Sequence, residues 1–463
     1  MSEVTATLQF IITIELLGLI GFPISHKLFS KLPDRGWGFS KIVGLLVSAW
    51  VIWILSSLRL VPFTPANVLA TTLFVGLLSW LLLFRTKLRA IPAQTILFIV
   101  IEELLFLGII VAWTFLRGLS PDYNGLEKFM DYGFMLSAMQ TKYFPPLDHF
   151  LSGETINYYY YGHYIAAFMA TLSRVPANLA YNLQMSLLFG LTAMQSFALA
   201  SGLYHLISRL EVKRLPWRSI STGILGALLV SFFGNLHTAI FYPGNPTGYW
   251  YPDATRFIEN TIHEFPIYSF IVNDLHGHVS DIPMVLFVLG ILLIFVLKQR
   301  ERLVFGTVRD LIRQMQIPTI CILAFVIGTM YATNAWDFAI YLVLSGLVFW
   351  TINASLCGET IIWRQFFHYH VLLLTATQSI LLLILAIIYF APFWASLLPI
   401  FQGIGIVPFG SHSPLWQLAV LWGVRKDVNS ERTSTLDVAA DSHLNNRSVS
   451  VGKMGVYASA KQN

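Results

Sequence analysis

Between Ile262 and Met284 the chain reads IHEFPIYSFIVNDLHGHVSDIPM, which puts Glu264, Asp274, His276, His278 and Asp281 within 18 residues. Carboxylates and imidazoles at that density can pass a proton, hold a phosphate or ligate a divalent metal. Asp274 and His278 stand at i and i+4 if the segment is helical, whereas His276 and His278 share a face if it is extended. Neither spacing is a recognised zinc pattern. A divalent cation is therefore a candidate cofactor, with Asp131, Asp274 and His278 as candidate ligands. The plainer alternative is a loop of mutually satisfied polar residues.

A second group lies upstream in GLEKFMDYGFM, where Glu127, Lys128 and Asp131 occupy i, i+1 and i+4 of a short amphipathic helix. Glu127 and Asp131 then share one face while the apolar side rests on a membrane surface. A partly desolvated carboxylate there can serve as general base or metal ligand; a solvated helix with an idle charge cluster is the competing reading. Further on, Asn157 precedes Tyr158, Tyr159, Tyr160 and Tyr161, then Gly162 and His163. Four tyrosines exceed what an interfacial aromatic belt needs, and rings with hydroxyls suit a sugar or a lipid-linked phosphate. Asn334, Trp336 and Asp337 form a third polar group, and Glu102 and Glu103 lie deep in an apolar run, as part of a proton path or a structural pairing.

The rest of the chain has to hold these residues in place. Of 463 residues, 56% are hydrophobic and 11% charged, and the mean hydropathy is +0.66, against roughly 25% charged in a soluble domain. The apolar residues fall in blocks of about 20, enough for a helix to cross a bilayer, and in lipid the backbone must satisfy itself within each segment. The fold class is all-α, a polytopic transmembrane bundle of about ten to twelve spans with amphipathic or re-entrant helices in its outer loops. Spans are expected at Val4–Pro23, Ile42–Leu58, Val68–Phe84, Ile96–Leu116, Ala180–Leu206, Ile220–Ile240, Ile282–Leu297, Ile317–Tyr331, Phe338–Ile352 and Val371–Phe390. The first block has neither a basic leader nor a cleavage site and is expected to be retained.

Basic residues crowd alternate connections: Lys27 to Lys41, Arg85 to Arg89, Arg209 to Arg218 and Lys298 to Arg313. The positive-inside bias makes these cytoplasmic, provided that Tyr160–Val175, whose apolar part is about 14 residues, dips in without crossing. Residues 120–158, 241–281 and 332–337 then share the outer face of the cell membrane. The net charge of +5 is thus explained by orientation, and no nucleic-acid partner is implied. Cys321 and Cys357 form neither a disulfide framework nor a metal motif. Residues 1–95 are read as N-terminal transmembrane helices, 96–424 as the main membrane domain and 425–463 as a disordered polar tail.

The combination EKFMDYGFM, YFPPLDHFLSG, INYYYYGHY, AYNL, EFPIYSFIVNDLHGHVSDIP and TNAWDFAIY resembles the bacterial and archaeal membrane-protein family named for its YYY motif, a domain of unknown function. The resemblance runs from about Glu102 to Trp422. It further implies a GT-C-like fold, that of membrane glycosyltransferases that take a sugar from a polyprenyl-phosphate donor at the outer face with a carboxylate of the first large outer loop. Asp131 stands at that position, followed by Tyr-Gly-Phe where a second acid is familiar.

Taken together, the expected activity is inverting sugar transfer outside the membrane. Asp131 would deprotonate the acceptor, Asp274, His276 and His278 would bind the lipid phosphate, and Tyr158 to Tyr161 would pack the sugar or isoprenoid. Two rivals remain. A transporter or flippase would use Glu102, Glu103 and Asp337, and a noncatalytic envelope-assembly protein would need none of these side chains.

Overall fold

The computed structural model describes residues 2–84, 91–208, 216–299, 308–357, 363–398, 405 and 408–423. Of the basic residues used to orient the chain, Arg85, Lys87, Arg89, Arg209, Lys213, Arg214, Arg300 and Arg302 lie outside the described residues, as does the tail 425–463.

The described chain is helical: α1 Glu3–Phe29, α2 Ser40–Ser57, α3 Pro65–Phe84, α4 Ala93–Gly118, α5 Lys128–Gln140, α6 Tyr161–Ser173, α7 Ala177–Ile207, α8 Trp217–Phe232 and α9 His237–Phe241. Then come α10 Pro266–Val272, α11 Gly277–Lys298, α12 Val308–Gln314, α13 Ile317–Thr333, α14 Ala335–Leu356, α15 Trp363–Phe366, α16 Tyr369–Tyr389, α17 Ala391–Ser396 and α18 Leu415–Trp422. Eight of them, α1 to α4, α7, α11, α14 and α16, are long and apolar enough to cross a membrane, while α8 and α13 are shorter apolar helices. Every span expected from the sequence is matched by one of these ten. The chain is a multi-pass membrane protein.

The contacts divide the chain into two units, Met1–Gly234 with Glu264–Ile404, and Asn235–His263 with Gly405–Asn463. The expected outer loop 241–281 is therefore shared between them. In the first unit α7 is the hub, with 83% of its apolar window buried, against 22% for α14. Peripheral helices keep an apolar stripe outward: Leu69, Leu73, Leu77 and Leu81 of α3 are all exposed at helical spacing, a face that only lipid would solvate well. Helices α1 and α2 meet backbone to backbone, and a Cβ on Gly44 would lie 1.8 Å from the Leu17 carbonyl. Small residues permit such an approach. In the second unit, α9, α18 and the turn Tyr251–Thr255 enclose Phe257, Ile258 and Leu421. Gln417 donates there to the Phe257 carbonyl (2.9 Å).

One expected span changes in detail, and the segment expected to dip in without crossing takes a definite form. The span Ile220–Ile240 ends as a helix at Phe232, because Phe233 is extended and the Phe265 ring lies 2.5 Å from where a Cβ on Gly234 would stand. The segment after Tyr160 forms α6, 13 residues long, or about 20 Å. That is short of a ~30 Å hydrocarbon core, and α6 is buried at nearly every position.

Candidate functional site

Two side chains of α7 hold the site's backbone. Tyr181 accepts the Leu275 amide at its hydroxyl (3.2 Å), and Asn182 accepts from Asn273 Nδ2 (2.9 Å) while donating to the Pro121 carbonyl (3.1 Å). Asn273 sits in the left-handed region and ends α10, so the segment after it is neither one continuous helix nor one extended run. His276 instead caps a new helix, with His278 in its first turn. Gly277 is required there, since a Cβ would lie 2.3 Å from the Thr333 carbonyl. That approach brings α11 against the end of α13, and so near Asn334 and Asp337.

Helix α5 supplies the other wall. Its Asp131 is fully buried, with His163 Nε2 of α6 2.7 Å from Oδ1. Its carboxyl meets that of Asp274 closely enough for each to shift the other, and Asp131 Oδ2 and Asp274 Oδ1 are buried without a hydrogen-bond donor. Two carboxyls that meet in this way require a proton on one member. Burial opposes charge on Asp131, but the hydrogen bond and charge of His163 outweigh it and hold Asp131 below the usual carboxylate range. Asp274 is pushed up to about 8, first by burial and then by Asp131 itself. The pair therefore holds one proton between its two members near neutrality.

A second chain of bonds runs beside the first. Glu127 Oε2 is 3.2 Å from His276 Nε2, His276 Nδ1 is 3.0 Å from His278 Nδ1, and His278 Nε2 is 3.1 Å from Glu264 Oε2. Tyr158 Oη stands 3.2 Å from His276 Nε2, and Ser269 donates to Glu264 (2.9 Å). His276 is held below the ordinary imidazole range by burial and by the neighbouring His278. Tyr158 is pushed up to about 12, by burial and then by Glu127 and Asp131, and stays a neutral hydroxyl. Unlike Asp131, this chain is accessible: the side-chain exposures are 56% for Glu127, 32% for His276 and 38% for His278.

Below these residues, Asp281 of α11 is fully buried and its carboxyl meets that of Asp337, which accepts from Asn334 Nδ2 (2.9 Å). Asp337 also lies within electrostatic reach of His278. Two helix starts thus join the same ionisable network.

The tyrosine run divides. Tyr160 and Tyr161 are core residues, Tyr160 accepting from Trp53 Nε1 (3.3 Å) and Tyr161 lying edge-on to Trp53. Tyr158 and Tyr159 remain half-buried. Asn157 is exposed and accepts the Leu398 amide (2.8 Å), and Trp336 is exposed. Lys128 is half-buried, within electrostatic reach of Arg117 and Asp274. Glu102 and Glu103 lie elsewhere, in α4 beside Lys41, which bonds Glu15 (2.9 Å) and Glu103 (2.5 Å).

The residues brought together are thus Glu127, Lys128, Asp131, Tyr158, His163, Glu264, Asp274, His276, His278, Asp281, Asn334 and Asp337. Arg117 also belongs here, although sequence reasoning misses it. Its Nη2 donates to the Ser120 carbonyl (2.6 Å), and its buried Nε has no partner. Its only sequence signal is a lone arginine at the end of a span. Tyr181 and Asn182 are visible solely as part of the AYNL string.

Among the described residues no group of three or more His, Cys, Asp or Glu side chains is arranged to hold a metal ion.

A family model described as Uncharacterized membrane protein (DUF2298) matches residues 47–426. No curated protein and no solved structure matches the chain.

Proposed function

This chain belongs to the uncharacterized membrane protein family DUF2298, whose description fixes a membrane location and no reaction, and from the site itself we propose a GT-C-like glycosyltransferase using a polyprenyl-phosphate-linked sugar at the extracytoplasmic face. The observation that carries the reading is the relay Glu127–His276–His278–Glu264, partly exposed at His276 and lined by the half-buried Tyr158. A hydroxyl becomes a competent nucleophile when its proton has a place to go, and a neutral imidazole is well matched to that task near pH 7.

Mechanistically, the acceptor O–H takes the place of the Tyr158 hydroxyl at His276 Nε2, with the ring in the unprotonated-Nε2 tautomer. As the acceptor oxygen bonds to the anomeric carbon and the bond to the lipid phosphate breaks, His276 takes the proton. Its Nδ1 proton passes to His278 Nδ1, and the Nε2 proton of His278 passes to Glu264. Burial of Asp131 argues against direct contact with the acceptor, so its expected role as base shifts to His276. Asp131 then positions Asp274 and His163 beside the relay. Arg117 and Lys128 are the cations available to the departing phosphate, and Tyr158 and Tyr159 offer ring faces to the sugar.

Transport is the second reading, and one observation favours it: Glu102 is buried with both carboxylate oxygens unpartnered, as a proton-coupled carrier would require. Sealed vesicles containing the purified chain and a lipid-linked sugar separate the two. A new glycosidic product supports transfer; movement of the lipid-linked sugar between leaflets without a product supports transport; neither would leave an assembly role.

A further inference from the structure

Helix α11 starts in the site described above and carries Lys298, in its last turn, about 32 Å along its axis from Gly277. Lys298 and Lys27, which is in the last turn of α1, line a cavity of about 420 Å³ together with His26, Ile24, Leu28 and Ile322. Lys31 donates to the Leu297 carbonyl (3.2 Å) and lies close enough to Lys298 to repel it. The cavity does not end there. Ile24, Leu28 and Ile322 also line a second cavity of about 220 Å³, which continues past Val43 and Val47 to Trp50. Along α2 that stretch covers about 10 Å, in the direction of the Asp131 site.

Each lysine taken alone complements the carbonyl end of its own helix. Lys298 is also held at the rim by a hydrogen bond to Thr319 Oγ1 (3.3 Å), which leaves two ammonium donors for a ligand, and Lys27 of a second helix faces the same cavity. A cationic mouth that continues into an apolar groove has the shape of one ligand class, an amphiphile with an anionic head and a hydrocarbon chain. We propose that this groove is a binding site for one acidic phospholipid, its phosphate held by Lys27 and Lys298 and one acyl chain lying along Ile24, Leu28 and Ile322 toward Trp50. Binding there requires nothing of the chemistry at the other end of the bundle. A neutral lipid gains only the groove, and an inorganic anion only the mouth.

The test uses the purified full chain in detergent, titrated separately with phosphatidylglycerol, phosphatidylcholine and inorganic phosphate. Bound lipid is counted by native mass spectrometry, and the melting temperature is followed. Phosphatidylglycerol is expected to bind one per chain and raise the melting temperature, with the other two far weaker. Lys27→Ala and Lys298→Ala each weaken binding about fivefold; both lysines are exposed, so the core is untouched. Ile24→Trp, which fills the groove without altering the charge, weakens it as well. Equal binding of phosphatidylcholine, full reproduction of the shift by phosphate alone, or unchanged affinity in the double lysine variant would overturn the proposal.

Discussion

The carboxyls of Asp131 and Asp274, 143 positions apart in the chain, meet where α5 contacts the loop before α11, each with a buried oxygen that has no hydrogen-bond donor. One proton holds them together. Asp274 is raised to about 8, so the folded chain binds that proton across a range in which the unfolded chain, at about 3.9, has released it. Stability is therefore lost as pH rises toward 8 and levels off above it. The melting temperature of the wild type in detergent should fall by several degrees between pH 5 and pH 8. Asp274→Asn, which keeps a donor without the charge, should flatten that slope and melt above the wild type at pH 8. A parallel slope in the variant would show that another group is responsible.

Asp131 has the opposite sign. Its carboxyl is held low by His163, so the stability it contributes is present above the ordinary carboxylate range and is lost as pH falls through its folded value. Removing the partner is costly, because a buried charge is left alone: His163→Ala should destabilise by about 3–5 kcal/mol, measured by reversible unfolding in mixed micelles. A loss under ~1 kcal/mol would mean that Asp131 is hydrated or neutral in the folded state.

Much of this arrangement is legible in the amino-acid sequence. Blocks of apolar residues locate all ten long or shorter apolar helices, because length against bilayer thickness is a strong constraint. The grouping of Glu127, Asp131, Asp274, His276, His278 and Asp337 follows from loop parity. Burial and pairing are not legible in the same way. Asp131 reads as a residue of a surface helix, yet its partner His163 lies 32 positions on, and desolvation is set by neighbours that spacing does not name. Likewise nothing in four consecutive tyrosines tells which two turn toward Trp53. Spacing makes the segment around Asp274 either helical or extended; Asn273 makes it a break followed by a cap.

Lys41 is fully buried between Glu15 and Glu103. Lys41→Met would strand two carboxylates in the bundle, with an expected loss of about 3–5 kcal/mol. The double variant Glu15→Gln with Lys41→Met should recover part of it in the same unfolding measurement. Recovery is the informative result, since a purely steric role for the lysine would give none.

Arg117 and Lys128 are assigned to the lipid phosphate. Arg117→Gln and Lys128→Gln should each raise KM for the lipid-linked donor by about tenfold or more, as loss of a charge-assisted hydrogen bond implies, with a smaller effect on kcat. An unchanged KM would move the phosphate elsewhere.

The proposed chemistry turns on His276 as the acceptor of the nucleophile's proton. Its decisive measurement is the rate of covalent sugar transfer from a polyprenyl-phosphate donor by His276→Ala in reconstituted vesicles, beside wild type of matched melting temperature. A loss of about 10²–10⁴-fold is predicted, the range for a general base. Transfer within twofold of wild type would contradict it.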